Sequence, residues 1–229
     1  MRLVHQYLEN PLITDDVNCG IVVFERNQQF YEVIKEINEQ SELDDGGFTL
    51  SQDMKKISFS KNVNLVSSFP FLEHNPRRVI TALHKQLNQT VVEEDRMEQI
   101  QSALEQLTIQ MQQISQEAEA EVEEIEAPTW LDIFKFFNIR FRTEFNKPEE
   151  ALSDYFRIMK KYLGQKFFIL VNVLSFLEPE ALFKLSEQAS YEGFSMLWLE
   201  NHIDESHQKV SQRVLIVDSD LCEIEINHL

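Results

Sequence analysis

An acidic stretch with a helical apolar repeat, residues 93–126, constrains the fold of this chain more than any other. Its apolar side chains recur every three or four residues, the period of one helix face, and they are Met97, Ile100, Leu104, Leu107, Met111, Ile114, Ala118, Val122 and Ile125. No glycine or proline interrupts the stretch before Pro128. One continuous helix of this length would span roughly 50 Å. We expect it to protrude and to pack against a second helix or a second copy of the chain, because a narrow apolar stripe needs a partner.

The same stretch carries many carboxylates and a single base, Arg96. Six of its acids fall between residues 117 and 126, at spacings that bring several of them onto one helix face, where like charges repel. One interpretation is a solvated acidic face. The other is a site for a hard divalent cation such as calcium, which prefers carboxylate and carbonyl oxygens. The glycine-containing spacing of an EF-hand is absent, so the spacing leaves both interpretations open.

The net charge of −18 over 229 residues excludes a broadly basic surface for nucleic acid or an anionic membrane. Any DNA-binding region must therefore be local. Cys19 and Cys222 are too few for a disulfide scaffold, so reduced thiols and a cytoplasmic location are expected. No signal-peptide pattern is present, and the longest apolar run, Phe167–Leu174, is too short to cross a membrane.

The final third of the chain alternates strand and helix, which is typical of an α/β fold. We expect a strand near residue 21, strands at 166–174, 194–200 and 213–220, a helix at 179–193 and an edge strand at 222–226. The fold class is therefore α/β, with a mixed or parallel sheet in a head domain of residues 1–92 and 164–229. Residues 93–163 form an inserted helical leg domain.

The remaining segments are assigned from the same periodicities. Helices are predicted at 27–40, 75–89, 130–136 (with Thr129 as its cap) and 149–163, strands at 48–50, 57–59 and 63–67, and an irregular or weakly extended region at 1–18. Residues 137–145 alternate strictly between apolar and polar, which predicts a strand with Arg140 and Arg142 on one side.

Catalytic residues are hard to place in this chain. A nucleotide hydrolase needs a glycine-rich phosphate loop after its first strand, and the sequence after Gly20 has neither a second glycine nor the lysine. Glu200, Asp218 and Asp220 follow or end predicted strands, so a metal-dependent nuclease or hydrolase is one alternative. The Ser–His–Asp and Cys–His arrangements have no support from spacing.

Basic residues are few, so their grouping matters for any DNA contact. Arg140 with Arg142 and Lys160 with Lys161 form two clusters, and several such residues are needed to neutralise phosphates. Salt bridges to the abundant acids are the alternative role for each of them.

The order of several segments resembles the Csn-two family, the CRISPR-associated adaptation proteins of type II-A systems. The matching segments are GIVVFERNQQFYEVIKEIN, SELDD, NPRRVITALHKQLNQ, EAEVEEIE, TWLDIFKFFNIRFR, KKYLGQKFFILVNVLSFLEPEAL and MLWLE. The resemblance implies a P-loop-ATPase-like head that has lost its nucleotide site, joined to a helical leg. It also implies a calcium-dependent homotetrameric ring that binds double-stranded DNA ends. Such proteins act in spacer acquisition beside the integrase and effector nuclease of the system.

When the family's functional residues are matched segment by segment to this sequence, the resemblance implies a set of calcium ligands and no catalytic residue. The implied ligands are Glu119, Glu121, Glu123, Glu126 and Asp132, with Glu117 and Glu124 as substitutes. Clustering alone assigns the DNA-binding residues, which are Arg140, Arg142, Lys160 and Lys161. A coiled-coil adaptor that binds only protein is a further alternative.

Overall fold

The computed structural model describes residues 1–93, 97–120, 122–123 and 126–227. The chain divides into a sheet unit, Met1–His74 with Thr143–Leu229, and a helical unit, Asn75–Arg142. These boundaries differ from the expected ones at 92/93 and 163/164. The helix that begins near residue 77 belongs to the helical unit, and the helix that begins at Pro148 belongs to the sheet unit.

The strands of the described chain form two sheets. They are β1 (Arg2–His5), β2 (Cys19–Phe24), β3 (Phe48–Gln52), β4 (Lys55–Lys56), β5 (Val63–Val66), β6 (Phe167–Val171), β7 (Ser195–Glu200), β8 (Arg213–Val217) and β9 (Glu223–Asn227). The larger sheet has the order β5-β6-β7-β2-β8-β9. Its strands run parallel except for β9, which pairs antiparallel with β8. The predicted mixed sheet is confirmed, and the strand predicted near residue 21 is an interior strand of it.

The helices follow the apolar periodicity of the sequence. They are α1 (Asn27–Leu43), α2 (Phe59–Asn62), α3 (Arg77–Glu93), α4 (Met97–Ser115), α5 (Trp130–Phe136), α6 (Pro148–Leu163), α7 (Pro179–Glu192) and α8 (Glu205–Val210). Both α6 and α7 begin at a proline and end before a glycine with positive φ, Gly164 at 72° and Gly193 at 69°. Proline presets the φ angle of a first turn, and glycine adopts the left-handed cap without a steric cost.

The central strands are apolar on both faces because both faces are covered. Along β6, Phe167 and Ile169 belong to a core that includes residues of α1 and β2. On the opposite face, the centroid of the Phe168 ring lies 4.7 Å from the ring centroid of Phe156 on α6 and 5.4 Å from that of Phe194. This aromatic packing joins α6 to the sheet and explains why the unit boundary precedes that helix.

A small antiparallel sheet, β1-β3-β4, accompanies the larger one. The region predicted as irregular or weakly extended, residues 1–18, contains the short strand β1, which pairs with β3. The strand predicted at 57–59 is wrong: β4 lies earlier, and Phe59 begins α2. The Ser58 hydroxyl accepts the amide of Lys61 and caps that helix, which outweighs the apolar pattern of the segment.

The single helix predicted over residues 93–126 is also wrong. The described part of this stretch contains the end of α3 and then α4, which ends at Ser115 and is followed by turns and bends at residues 116–120. The amides of Glu117 and Ala118 bond to carbonyls three residues back, and the Ser115 hydroxyl donates to a carbonyl at the same spacing (2.8 Å). Serine hydroxyls compete with helical hydrogen bonds, and the repulsion among the following carboxylates adds to this.

Candidate metal and nucleic-acid surfaces

The acidic segment after α4 is exposed wherever the structure describes it. Glu117, Glu119, Glu123 and Glu126 are all exposed, whereas Glu121 and Glu124 lie outside the described residues. Within the described residues, no group of three or more histidine, cysteine or acidic side chains is arranged to hold a metal ion. The oxygen donors suit calcium in their chemistry, but the described part of one chain does not assemble them.

Asp132 has a structural role of its own at the start of α5. It forms a capping box with Thr129: the Thr129 hydroxyl accepts the Asp132 amide, and the Asp132 carboxylate accepts the Thr129 amide at 3.1 Å. Hydrogen bonds from Thr129 and the nearby Lys135 ammonium hold the pKa of Asp132 below its ordinary value. The predicted cap at Thr129 is confirmed, and the carboxylate assigned to calcium is already engaged.

Arg140 and Arg142 are exposed on a segment of the helical unit that has no regular secondary structure. The strand predicted at 137–145 is wrong, because this segment pairs with no strand among the described residues. Instead, the Asn75 side chain donates to the Phe141 carbonyl (2.9 Å) and accepts its amide (2.8 Å). One amide side chain thus supplies the pairing that a neighbouring strand would have given to Phe141.

Lys160 and Lys161 lie on α6 in the sheet unit and have different surroundings. The Lys160 ammonium donates to the Glu192 carbonyl at the end of α7, and the side chain is half-buried. Lys161 is exposed, with its ammonium 5.3 Å from the centre of the Tyr162 ring. Arg157 adds an ion pair to the Glu192 carboxylate (2.8 Å). Contact between α6 and α7 therefore occupies Lys160 and leaves Lys161 at the surface.

The carboxyl edge of the large sheet holds the acids of the nuclease alternative. One oxygen of Glu200 accepts the amides of Val173 (3.0 Å) and Leu174 (3.1 Å), and burial raises the pKa of this carboxyl to about 7. Asp218 accepts the amides of Asp220 and Cys222, each at 2.8 Å, and so closes the turn between β8 and β9. Glu200 ends β7 and Asp218 follows β8, and β2 lies between these two strands in the sheet. Each of these two carboxylates stabilises a loop, and they do not form a shared metal site.

The loop between β2 and α1 is the place where a nucleotide hydrolase of this fold would bind phosphate. α1 begins at Asn27, three residues after β2 ends at Phe24, and no glycine lies between the two elements. A phosphate-cradling loop needs several residues with amides turned toward the anion. This connection, of two residues, is too short for such a loop.

Sequence reasoning missed a cavity within the helical unit. Side chains of α3, α4 and α5 surround about 640 Å³. Its walls include His84, Leu104, Trp130 and Phe134. His84 is buried and bonds through Nε2 to the Ile139 carbonyl (2.9 Å). The available signal was the apolar repeat shared by the three helices, which indicates contact between them but not how completely they fill the space.

These features define a class of protein: an α/β sheet unit whose β2–α1 connection is too short for a phosphate loop, combined with a helical unit rich in exposed acids and apolar side chains. A family model described as "CRISPR-associated protein (Cas_Csn2)" matches residues 40–221. The chain belongs to this family.

A solved structure supports the fold independently. The crystal structure of Stu0660 of Streptococcus thermophilus is similar over 95% of this chain and 75% of that chain, with 16% identity and a TM-score of 0.50. At this identity the likeness concerns the fold alone. No curated protein matches the chain at a significant level. Among the described helices, none is both long and apolar enough to span a membrane.

Proposed function

We propose that this chain is a non-catalytic, calcium-dependent DNA-binding protein that assembles as a homotetrameric ring in the cytoplasm. The ring would bind ends of double-stranded DNA during CRISPR spacer acquisition, beside the integrase and effector nuclease of a type II-A system. Membership of the CRISPR-associated family supports the general role. The resemblance of the segments named above supports the finer assignment.

The observation that carries the proposal is the uncovered apolar stripe of α4. Leu107, Met111 and Ile114 are 52%, 41% and 59% exposed, and their spacing of four and three residues puts them on one helix face. A contiguous apolar face of this kind usually marks an interface between proteins. A second copy of the chain is the partner that the proposal assigns to this face.

Calcium would be held by the exposed acids after α4. Glu119, Glu123 and Glu126 are the described residues available for it, and Glu121 completes the set outside the described residues. Bound calcium would supply positive charge among carboxylates that otherwise repel one another. Asp132 serves this role less well, because its carboxylate is engaged in the cap of α5.

Contact with DNA is assigned to a few exposed arginine and lysine side chains in a strongly acidic chain. Arg140 and Arg142 flank the Phe141 backbone that Asn75 holds, so their positions are fixed at the backbone. Lys161 adds a cation in the sheet unit, while Lys160 is bonded to the Glu192 carbonyl. Because the net charge of −18 opposes DNA binding, affinity should depend on these few residues and should fall steeply with salt.

Light scattering of the purified protein, with calcium and then with chelator, tests the assembly. Linear and closed circular duplex are added in turn. A calcium-dependent tetramer that binds the linear form and leaves circles free is expected. A species indifferent to calcium that ignores both DNAs would refute the proposal and favour the protein-only adaptor.

Replacing Arg140 and Arg142 with glutamate tests the DNA surface separately. The tetramer should remain while duplex binding is lost, because both side chains are exposed. A Lys61→Glu variant, which reverses a lysine of α2 in the sheet unit, is the matched control and should bind normally. Duplex binding that survives the double replacement would remove these arginines from the interface.

A further inference from the structure

Two exposed phenylalanines stand together at the end of α5. Phe136 is 83% exposed and Phe137 is 68% exposed, and their ring centroids are 5.2 Å apart at an interplanar angle of 87°. Asn138 follows with a φ of 49°, so the chain leaves the helix through a left-handed turn. Large rings exposed to this extent cost free energy in water unless something covers them.

The backbone that carries these rings is held in place. The Phe137 amide bonds to the Ile133 carbonyl (3.0 Å), and the Ile139 amide bonds to the Phe134 carbonyl (3.0 Å). His84 then bonds to the Ile139 carbonyl. The pair is therefore presented on a fixed turn, which reduces the entropy lost when a ligand covers it.

Charge indicates what covers the pair. Residues 135–142 contain Lys135, Arg140 and Arg142 and no acid, although acids outnumber bases 39 to 21 in the whole chain. Asp132, which pairs with Lys135 at 3.5 Å, and Glu144 flank this segment, so two arginines and one lysine face two acids and the local balance stays positive. The exposed apolar stripe of α4 lies in a segment of the opposite charge, since residues 97–115 contain Glu98 and Glu105 and no lysine or arginine. Aromatic rings interleaved with cations suit nucleic acid, whose bases stack and whose phosphates attract the cations. An apolar face among acids and glutamines suits a protein partner.

We propose that Phe136 and Phe137 cover the exposed face of the terminal base pair of a DNA duplex, one ring stacking flat on it and the other, nearly perpendicular, contacting it with its edge. This inference rests on the proposed function and specifies how an end would be distinguished from the interior. Phosphate contacts alone are the same along a duplex, whereas an uncovered base face exists only where the stack stops. Lys135 and Arg140 would then lie beside the phosphates that flank the end.

The test uses the intact protein and duplexes that carry 2-aminopurine either at the last base pair or in the middle. Binding is followed by anisotropy of a separate dye, and stacking by the fluorescence of 2-aminopurine. The variant is Phe136→Leu with Phe137→Leu, which keeps apolar side chains but removes the aromatic faces. Phe71→Leu is the matched control, because Phe71 is 84% exposed in the sheet unit.

With wild-type protein we expect the fluorescence of the terminal 2-aminopurine to change on binding and that of the internal 2-aminopurine to stay constant. The double variant should lose the terminal change and about tenfold in affinity for linear duplex. The control should behave as wild type, and the melting temperatures should agree within about 2 °C, since the replaced side chains are exposed.

The outcomes separate this inference from the function on which it rests. The stacking role would be refuted if the wild-type protein bound the duplex without changing the fluorescence of the terminal 2-aminopurine. It would also be refuted if the double variant kept the wild-type affinity and the terminal fluorescence change. Either result would leave the DNA-binding proposal standing. Duplex binding that the double variant retains while its tetramer dissociates would assign the rings to a protein interface instead. Absence of duplex binding by the wild-type protein would refute both.

Discussion

The two units of this protein differ in how far they bury their apolar side chains. In the sheet unit, Phe24, Phe167, Phe168 and Trp198 are fully buried between helices and strands. In the described part of the helical unit, the buried apolar side chains are Val79, Leu83 and Phe134. Many of its other large apolar residues are at least about a third exposed, namely Ile100, Leu107, Ile109, Met111, Ile114, Val122, Leu131, Phe136, Phe137 and Ile139.

This difference indicates where each unit obtains its stability. A sheet covered on both faces buries its apolar area within one chain. A helical unit with few buried side chains gains less from its own packing and more from whatever covers its surface. Substitutions in the sheet unit should therefore change folding, and those on the helical surface should change association.

Phe168→Ala should give the largest loss of folding stability. The ring is fully buried and contacts Phe156 and Phe194, and truncating such a ring costs about 4 kcal/mol in lost burial and in the cavity left behind. Urea unfolding followed by circular dichroism measures the change. Phe71→Ala is the control, expected within about 0.5 kcal/mol because Phe71 is exposed. Equal effects of the two would contradict the packing described for β6.

Glu200 should make the stability of the sheet unit depend on pH. Its pKa is raised by burial from 4.5 to about 7, so the folded state holds a proton that the unfolded state has released between these values. The contribution of Glu200 to stability should therefore be largest below pH 4.5, fall as pH rises toward 7, and level off above it, with a change of about 3 kcal/mol from this group.

Glu200→Gln isolates that contribution. A glutamine keeps an oxygen to accept the amides of Val173 and Leu174 but cannot ionise. Unfolding free energies at pH 5 and pH 8 should differ less in the variant than in the wild type, and the variant should be the more stable of the two at pH 8. A variant with the full wild-type dependence would show that other groups cause it.

Glu225→Ala should cost less, about 2 kcal/mol. Arg213 is 2% exposed and donates from Nε to Glu225 (2.6 Å) and from Nη1 to the Leu12 carbonyl (2.9 Å). Removing the carboxylate leaves a buried guanidinium without its counter-charge, a loss moderated because Glu225 is itself 32% exposed. The exposed pair Lys209–Glu205 is the control: Glu205→Ala should change the unfolding free energy by less than about 0.5 kcal/mol. Calorimetry that finds equal losses would contradict the role of burial.

The sequence predicted the sheet unit well because its signals are local and strong. Proline at the start of α6 and α7 and glycine after their ends place both helices, and the apolar run of β6 identifies a strand covered on both faces. The unit boundary was harder to place. It depends on the contact between Phe156 and Phe168, twelve residues apart across a glycine turn, which no periodicity reports.

The helical unit was predicted less well, and the reasons are physical. A perfect apolar repeat over residues 93–126 predicted one helix, but crowded carboxylates and Ser115 oppose helix at its carboxyl end. Likewise, the alternation at 137–145 was real, yet Asn75 supplies the pairing that a strand would have given. Of the candidate site residues, Arg140, Arg142 and Lys161 are exposed as a DNA contact requires, whereas the engagement of Asp132 depends on cap geometry that spacing does not reveal.

Replacing the α4 stripe should have the smallest effect on the folding of a single chain and a clear effect on assembly. Leu107→Gln, Met111→Gln and Ile114→Gln remove an apolar face that is already in contact with water, and glutamine favours helix as leucine does. The unfolding free energy of the isolated chain should therefore change by no more than about 0.5 kcal/mol, while sedimentation should report a smaller oligomer. Ile109→Gln is the matched control, because Ile109 is 51% exposed on the same helix but lies off the stripe. An unchanged oligomer in the triple variant would mean that the exposed stripe is not what joins the copies, and the contrast between the two units would then reflect incomplete burial rather than association.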